Sequence, residues 1–178
     1  MARAFSAIDI EDSETLAKLE EIRDALNLGF KPVKKQKMHI TLQFFKNLNS
    51  EELEEVKKGL ENIEVKPFKA GIEGLGAFPS KDFIRVLWAG VENPLLYRLQ
   101  EEVSNHTVES DNNHEFRPHI TLLRVEDMSP GQKRKVQKTL ENYEDARIGE
   151  IKVEKVKLFE SRLKPEGTRY VKLAEKEL

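Results

Sequence analysis

The sequence contains no cysteine, which removes thiol nucleophiles, disulfide frameworks and cysteine-ligated zinc together. It also lacks any apolar run approaching the roughly 18 residues a membrane helix requires. Met1 to Ile10 is too short and too polar for a signal peptide, so the chain is expected in the cytoplasm with no membrane contact. A large charge of one sign is missing as well: 30 Lys and Arg against 32 Asp and Glu give a formal charge of −2. Non-specific binding to nucleic acid is mostly phosphate neutralisation by a basic surface, so any such contact must be local. There is no low-complexity segment and no obvious linker, and 178 residues suit one domain able to bury its own core. Histidine, carboxylate, lysine and hydroxyl remain for chemistry.

What is present is a regular alternation of short strands and helices. Residues 3–10 read as a strand, and Asp12 or Ser13 caps a helix to about Asn27 whose Leu16, Leu19, Ile22 and Leu26 share a face. Gly29 ends it, and after a lysine-rich loop Met38 to Phe45 has the branched and aromatic density of a strand. Asn49 with Glu52 forms a capping-box pattern ahead of Leu53, Val56, Leu60 and Ile63. Phe68 to Phe78 and Phe83 to Val91 are predicted to form a hairpin, and Asn93-Pro94 opens a helix carrying Leu96, Leu99 and Val103. Arg117-Pro118 precedes a strand from His119 to Val125; Ser129, Pro130 and Gln132 start a last helix, buried along Val136, Leu140 and Tyr143; extended segments near 147–162 and 169–175 close the chain.

The order repeats. A helix, a His-Ile-Thr-Leu strand, a second helix and extended segments occur twice, with 80 residues between His39 and His119. The duplication predicts an α+β fold of two similar lobes, each an antiparallel or mixed sheet with helices on its outer face, enclosing a central groove. Strand alternation sets His39, Thr41 and Gln43 on one face and Met38, Ile40, Leu42 and Phe44 on the other. In the second copy His119 and Thr121 share a face, while Ile120, Leu122 and, by parity, Arg124 lie opposite. Two imidazoles across a groove suit a displacement that needs one proton removed and another delivered, because histidine titrates near pH 6.5. A threonine two residues on can direct its hydroxyl at a phosphate oxygen. A lone His-x-Thr is a weak signal; two of the four histidines in identical contexts at equivalent points of a duplication are a stronger one.

Met38 to Leu42 and Arg117 to Arg124 resemble the paired HxTx motifs of the two-histidine (2H) phosphoesterases, in particular the LigT-like RNA 2',3'-cyclic phosphodiesterases, also called 2'-5' RNA ligases. The resemblance extends to Arg3-Ala4-Phe5-Ser6-Ala7-Ile8-Asp9, to Val86-Leu87-Trp88-Ala89-Gly90-Val91, to Leu158-Phe159-Glu160-Ser161 and to Arg169-Tyr170. It implies a single bilobal domain over residues 1–178 and a hydrolase that opens RNA 2',3'-cyclic phosphate ends to 2'-phosphates. It further implies that His39 is the proton donor, that His119 is the proton acceptor, and that Thr41, Thr121 and Arg124 bind the phosphate. The same resemblance predicts no metal and no cofactor, reverse 2'-5' ligation by the same site, tRNA fragments among the substrates, room for a nucleotide in the groove, and a monomer. Leu123 stands where Gln43 stands in the first copy, so the two half-sites differ.

Other readings compete. His114 and His119 with Glu115 have a tolerated ligand spacing for a metal, but the intervening proline and the lack of a helix argue against it. Lys31, Lys34, Lys35 and Lys37 either draw an RNA strand toward the groove or form a solvated loop. Phe5, Phe44, Phe78, Phe83 and Trp88 offer surfaces on which a base could stack, though most strand aromatics are core. The rival from another class is a non-catalytic RNA- or nucleotide-binding module that uses the same groove.

Overall fold

A computed structural model describes residues 1–109 and 114–178; residues 110–113 lie outside the described residues, in the polar stretch Ser104 to Glu115 that the sequence suggests is a solvated loop but whose first three residues end α3. The described elements are strands β1 (Ala2–Asp9), β2 (Lys31–Pro32), β3 (His39–Leu48), β4 (Phe68–Pro79), β5 (Ile84–Glu92), β6 (His119–Arg124), β7 (Arg147–Val153), β8 (Lys155–Lys164) and β9 (Gly167–Glu177), with helices α1 (Ser13–Leu26), α2 (Ser50–Glu61), α3 (Pro94–His106) and α4 (Pro130–Asn142). A tight helical turn over Lys35–Lys37 precedes β3.

The helix starts follow the side chains available to satisfy free backbone N–H groups. Asp12 accepts from the Thr15 amide at 2.7 Å. Asn49 with Glu52 and Ser129 with Gln132 both complete capping boxes, and Asn93 caps α3 ahead of Pro94. Each helix buries one stripe. On α3, Leu96, Leu99 and Val103 are fully buried, and each such side chain stabilises the fold by about 1.5–3 kcal/mol relative to solvent exposure.

The strands form one sheet in the order β7-β4-β5-β6-β3-β1-β8-β9, with β2 against β6, and the strand pairings among the described residues are antiparallel. The two expected sheets are thus joined edge to edge by β3 and β6, which pair at a single position, Ile40 with Ile120. Either side of that pair the lobes mirror each other: β3-β1-β8-β9 in one and β6-β5-β4-β7 in the other. The lobes are not the two sequence repeats. β4 and β5 close the first repeat but pair with β7 and β6 of the second, and β8 comes from the second but pairs with β1 of the first. The helices cross as well, with α1 packing on β6 and β7 and α3 on β3. The predicted extended stretch 147–162 is therefore two strands in different lobes, separated only by Glu154.

No helix among the described residues is long and apolar enough to cross a membrane.

Candidate active site

The two His-Ile-Thr-Leu strands lie at the centre of the sheet, and their pairing at Ile40 and Ile120, carried one residue either way, sets His39 level with Thr121 and His119 level with Thr41. Ile40, Leu42, Ile120 and Leu122 are buried at 0–1% exposure, whereas His39, Thr41, His119 and Thr121 are only partly covered. The apolar positions anchor the strands in the core and leave the polar ones facing the groove, as strand alternation requires.

Alternation fails at the next residue of each strand, and identically in both. The β1–β3 register slips between Ser6 and Ala7, which pair with Gln43 and Thr41, leaving Leu42 as the extra residue. The β5–β6 register slips between Leu87 and Trp88, which pair with Leu123 and Thr121, leaving Leu122 extra. Such a bulge reverses the facing of every later side chain. Gln43 therefore does not line the groove: it is fully buried on the helix side, where its Nε2 donates to the carbonyl of Val108 at 3.1 Å and to Thr107 Oγ1 at 3.4 Å, beyond the end of α3. Phe44 takes the groove face instead, beside Phe5. For the same reason Arg124, which parity alone puts opposite His119, turns to the groove. It is exposed, and its charge acts on both His39 and His119.

Each imidazole is held by its own strand. His39 Nδ1 lies 2.7 Å from the carbonyl of Lys37, and His119 Nδ1 lies 2.6 Å from the carbonyl of Arg117. A carbonyl only accepts, so Nδ1 carries the hydrogen in both rings and Nε2 is the basic nitrogen of the neutral form. His39 Nε2 meets Thr41 Oγ1 at 3.0 Å, where the hydroxyl donates. Aromatic rings fix the planes: Phe5 stacks on His39 at 5.0 Å with Tyr170 edge-on at 5.6 Å, and Phe78 and Trp88 flank His119 at 4.8 and 6.0 Å. Phe5 and Trp88 are thus buried supports for the histidines, while Phe44 and Phe83 are about half exposed, at 51% and 56%. Phe83 is covered on one face by the Arg85 guanidinium, 4.6 Å away.

Burial pushes both imidazoles below the ordinary histidine range, against the opposing pull of the carbonyls that accept from Nδ1. The remaining influences differ. Asp9, the β1 residue paired with His39, favours the imidazolium there, against His119 and Arg124, whereas the charges that act on His119, Arg124 and Arg117, both disfavour it. The corresponding β5 residue opposite His119 is Gly90, which has no charge. Asp9 is itself held by Lys157, whose Nζ reaches Asp9 Oδ2 at 3.0 Å and Glu11 Oε1 at 2.7 Å. Lys157 is nearly buried; desolvation draws its pKa down, but the bonds to Glu11 and Asp9 outweigh it and hold the ammonium above its usual range.

A cavity of about 400 Å³ opens beside His39, with Asp9, Lys37, Phe159, Thr168 and Tyr170 among its walls. Lys37 Nζ donates to the Thr168 carbonyl and lies 5.5 Å from the Tyr170 ring centre. Sequence reasoning did not place Asp9, Lys157, Arg117 or Tyr170 beside the histidines. The hint in the sequence is that Asp9, Arg117 and Tyr170 fall within the segments that carry the family resemblance, whereas Lys157 does not. Among the described residues no three His, Asp or Glu side chains converge in a way that could hold a metal. His106, His114 and Glu115 are exposed.

Comparison with known proteins matches the description "LigT like Phosphoesterase" over residues 8–88 and again over 90–170, two segments that follow the duplication. The chain is 31% identical over 174 residues to an RNA 2',3'-cyclic phosphodiesterase of Methanocaldococcus jannaschii, covering 94% of this chain and 96% of that protein. Among solved structures it is similar to TT0787 of Thermus thermophilus, with 30% identity, a TM-score of 0.79 and coverage of 99% and 97%. The E. coli LigT complex with 3'-AMP shares the fold at 23% identity and a TM-score of 0.77, with 99% and 97% covered. With the family model matching both repeats and these relatives spanning nearly the whole chain, this protein belongs to the LigT-like phosphoesterase family.

Proposed function

We propose that the protein hydrolyses RNA 2',3'-cyclic phosphate ends to 2'-phosphates, with His39 as the proton donor and His119 as the proton acceptor. One observation carries this: two imidazoles whose Nδ1–H is tied to a backbone carbonyl flank the central strand pair, each with Nε2 as its reactive nitrogen. Water attacks phosphorus as His119 Nε2 takes its proton. The P–O3' bond breaks, and His39 Nε2–H delivers its proton to O3'. The product is a 2'-phosphate with a free 3'-hydroxyl, leaving His119 charged and His39 neutral until they exchange protons with solvent.

The surroundings favour this assignment over its reverse. Asp9 supports a charged His39 and has no counterpart at His119, where Arg117 and Arg124 both support the neutral ring; Arg124 also opposes the charge on His39. Burial opposes the charge on His39 in the empty groove; the substrate's phosphate, an anion within reach, offsets that cost on binding. Once His39 Nε2 carries a proton, the Thr41 hydroxyl no longer has an acceptor there and is free to turn to a phosphate oxygen. Thr121 and Arg124 serve the same phosphate from the other strand, and a guanidinium fits that anion bidentately.

Replacing either His39 or His119 by alanine should cut turnover of a cyclic-phosphate oligonucleotide by about 10²–10⁴-fold without unfolding the chain, and chelator should not alter the rate. Normal hydrolysis by either variant refutes the roles. Binding of the oligonucleotide by the wild-type protein without product would instead favour a non-catalytic module.

The reading extends to the protein as a whole. Residues 1–178 act as one bilobal domain, as a monomer in the cytoplasm. RNA ends such as those of tRNA fragments are the substrates, with a nucleotide seated in the groove, and the same residues join a 5'-hydroxyl to the cyclic end in reverse to give a 2'-5' linkage.

A further inference from the structure

The hairpin of β8 and β9 is longer than the sheet that supports it. β1 pairs with β8 only as far as Glu160, while the two hairpin strands stay paired out to Lys164 and Gly167. Residues 161–170 therefore project past β1 as a two-stranded arm, and the arm is fixed: Lys37 reaches across to the Thr168 carbonyl and lies on the Tyr170 ring. This arm, with the loop before β3, walls the cavity beside His39, and Lys34 and Arg169 stand in that wall.

The charges on this wall are not explained by stability. Arg162 and Arg169 are directly opposite each other across the hairpin, a placement that destabilises a strand pair when the charges are alike. Glu160 engages Arg162, at 2.7 and 2.9 Å, and among the described residues neither Arg169 nor Lys34 has a carboxylate partner. Three cations of the cavity wall, Lys34, Lys37 and Arg169, face two carboxylates, Asp9 and Glu166, and Asp9 is already bridged to Lys157. A volume of about 400 Å³ exceeds what a phosphate group fills and lies in the range of roughly 300–1,000 Å³ usual for small-molecule sites.

We propose that Arg169 and Lys34 form a subsite for the phosphate on the 5' side of the terminal nucleotide, so that the substrate is read as an RNA chain and not as a mononucleotide. The inference rests on His39 as the proton donor. That role puts the leaving O3', and with it the ribose, on the β3 side of the groove, and the strand that continues from the ribose 5' carbon then runs along the arm.

The test compares adenosine 2',3'-cyclic phosphate, the same nucleoside bearing a 5'-phosphate, and the dinucleotide ApA ending in a cyclic phosphate. A charge-assisted contact strengthens binding by about 10- to 100-fold, so kcat/KM should rise by that order for both extended substrates. Arg169→Ala and Lys34→Ala should each remove most of the gain, Arg169→Lys should keep part of it, and the loss should be confined to substrates that carry the 5' phosphate. No gain in the wild-type protein, a gain that survives the double alanine variant, or an equal loss on the unphosphorylated substrate would each overturn the proposal. A gain with the 5'-phosphomonoester but none with the dinucleotide would assign the site to free nucleotides and also overturn it. Should none of the three be hydrolysed, the reaction assigned above fails on its own. The subsite is then judged by titrating adenosine 2'-phosphate with and without a 5'-phosphate: the same ratio in Kd, lost in Arg169→Ala, supports it, and equal affinities refute it.

Discussion

His39 and His119 share a tetrapeptide, a carbonyl tether and a depressed pKa, and differ in what charges stand beside them. Asp9 pairs with His39 and Gly90 with His119, so one residue of β1 distinguishes the proposed acid from the proposed base. Removing the carboxylate by Asp9→Asn withdraws an influence that raises the His39 pKa, and that pKa must then fall further. An acid is active only while protonated, so the limb of the kcat/KM profile that His39 sets should move to lower pH while the limb set by His119 stays in place. A pH series on the two proteins checks this; a profile in which neither limb moves would refute the influence of Asp9 on His39. The pairing of Asp9 with His39 was not legible in the sequence, because it depends on which strand lies next to β3 and in which register.

The strands themselves carry a feature that period-two reasoning misses. Each His-Ile-Thr-Leu strand is regular for four residues and then bulges, at Leu42 and at Leu122, which buries Gln43 and Leu123 and turns Phe44 and Arg124 to the groove. The sequence pattern does give the first four residues of each strand, since Ile and Leu must face the core. It leaves the fifth and sixth undetermined, because a bulge is a property of two strands together. Gln43→Leu should accordingly leave kcat/KM within about twofold, since the side-chain hydrogen bonds of Gln43 among the described residues go to Thr107 and Val108, and steady-state kinetics decide it. A large loss would mean that Gln43 faces the substrate. A second element-scale test uses the close approach of β4 to β5. A Cβ at Gly76 would come within 2.2 Å of the Trp88 ring, so Gly76→Ala must displace the ring that supports His119. Overpacking of this kind costs about 1–3 kcal/mol and should lower the melting temperature by several degrees, with a fall in kcat/KM. Trp88 is the one tryptophan of the chain, so a shift in its fluorescence reports the displacement directly.

At the scale of the whole molecule, the two repeats exchange strands. The lobe that holds His39 is completed by β8 and β9 from the far end of the chain, and the lobe that holds His119 takes β4 from the first repeat. Cutting the chain after Glu154 removes β8 and β9 and uncovers one side of β1, with Val156 and Leu158 taken out of the core. The shortened protein should not show a cooperative thermal transition, and it should be inactive even though both histidines remain. Circular dichroism and melting curves on residues 1–154 check this. A folded, cooperative fragment would show that each lobe stands alone.

Pattern along the chain was enough for the helices with their caps, the strands that carry the histidines, the duplication and the resemblance to two-histidine phosphoesterases. These are local: a cap needs four residues, a helical stripe three turns, a motif five positions. It took the folded chain to set which strands share a lobe, that the two sheets join at Ile40 and Ile120, where the bulges fall, and that Asp9 with Lys157 stands behind one histidine alone. Those facts depend on hydrogen bonds and charges between residues as far apart as 148 positions, and no pattern along one strand records which partner the chain will bring beside it.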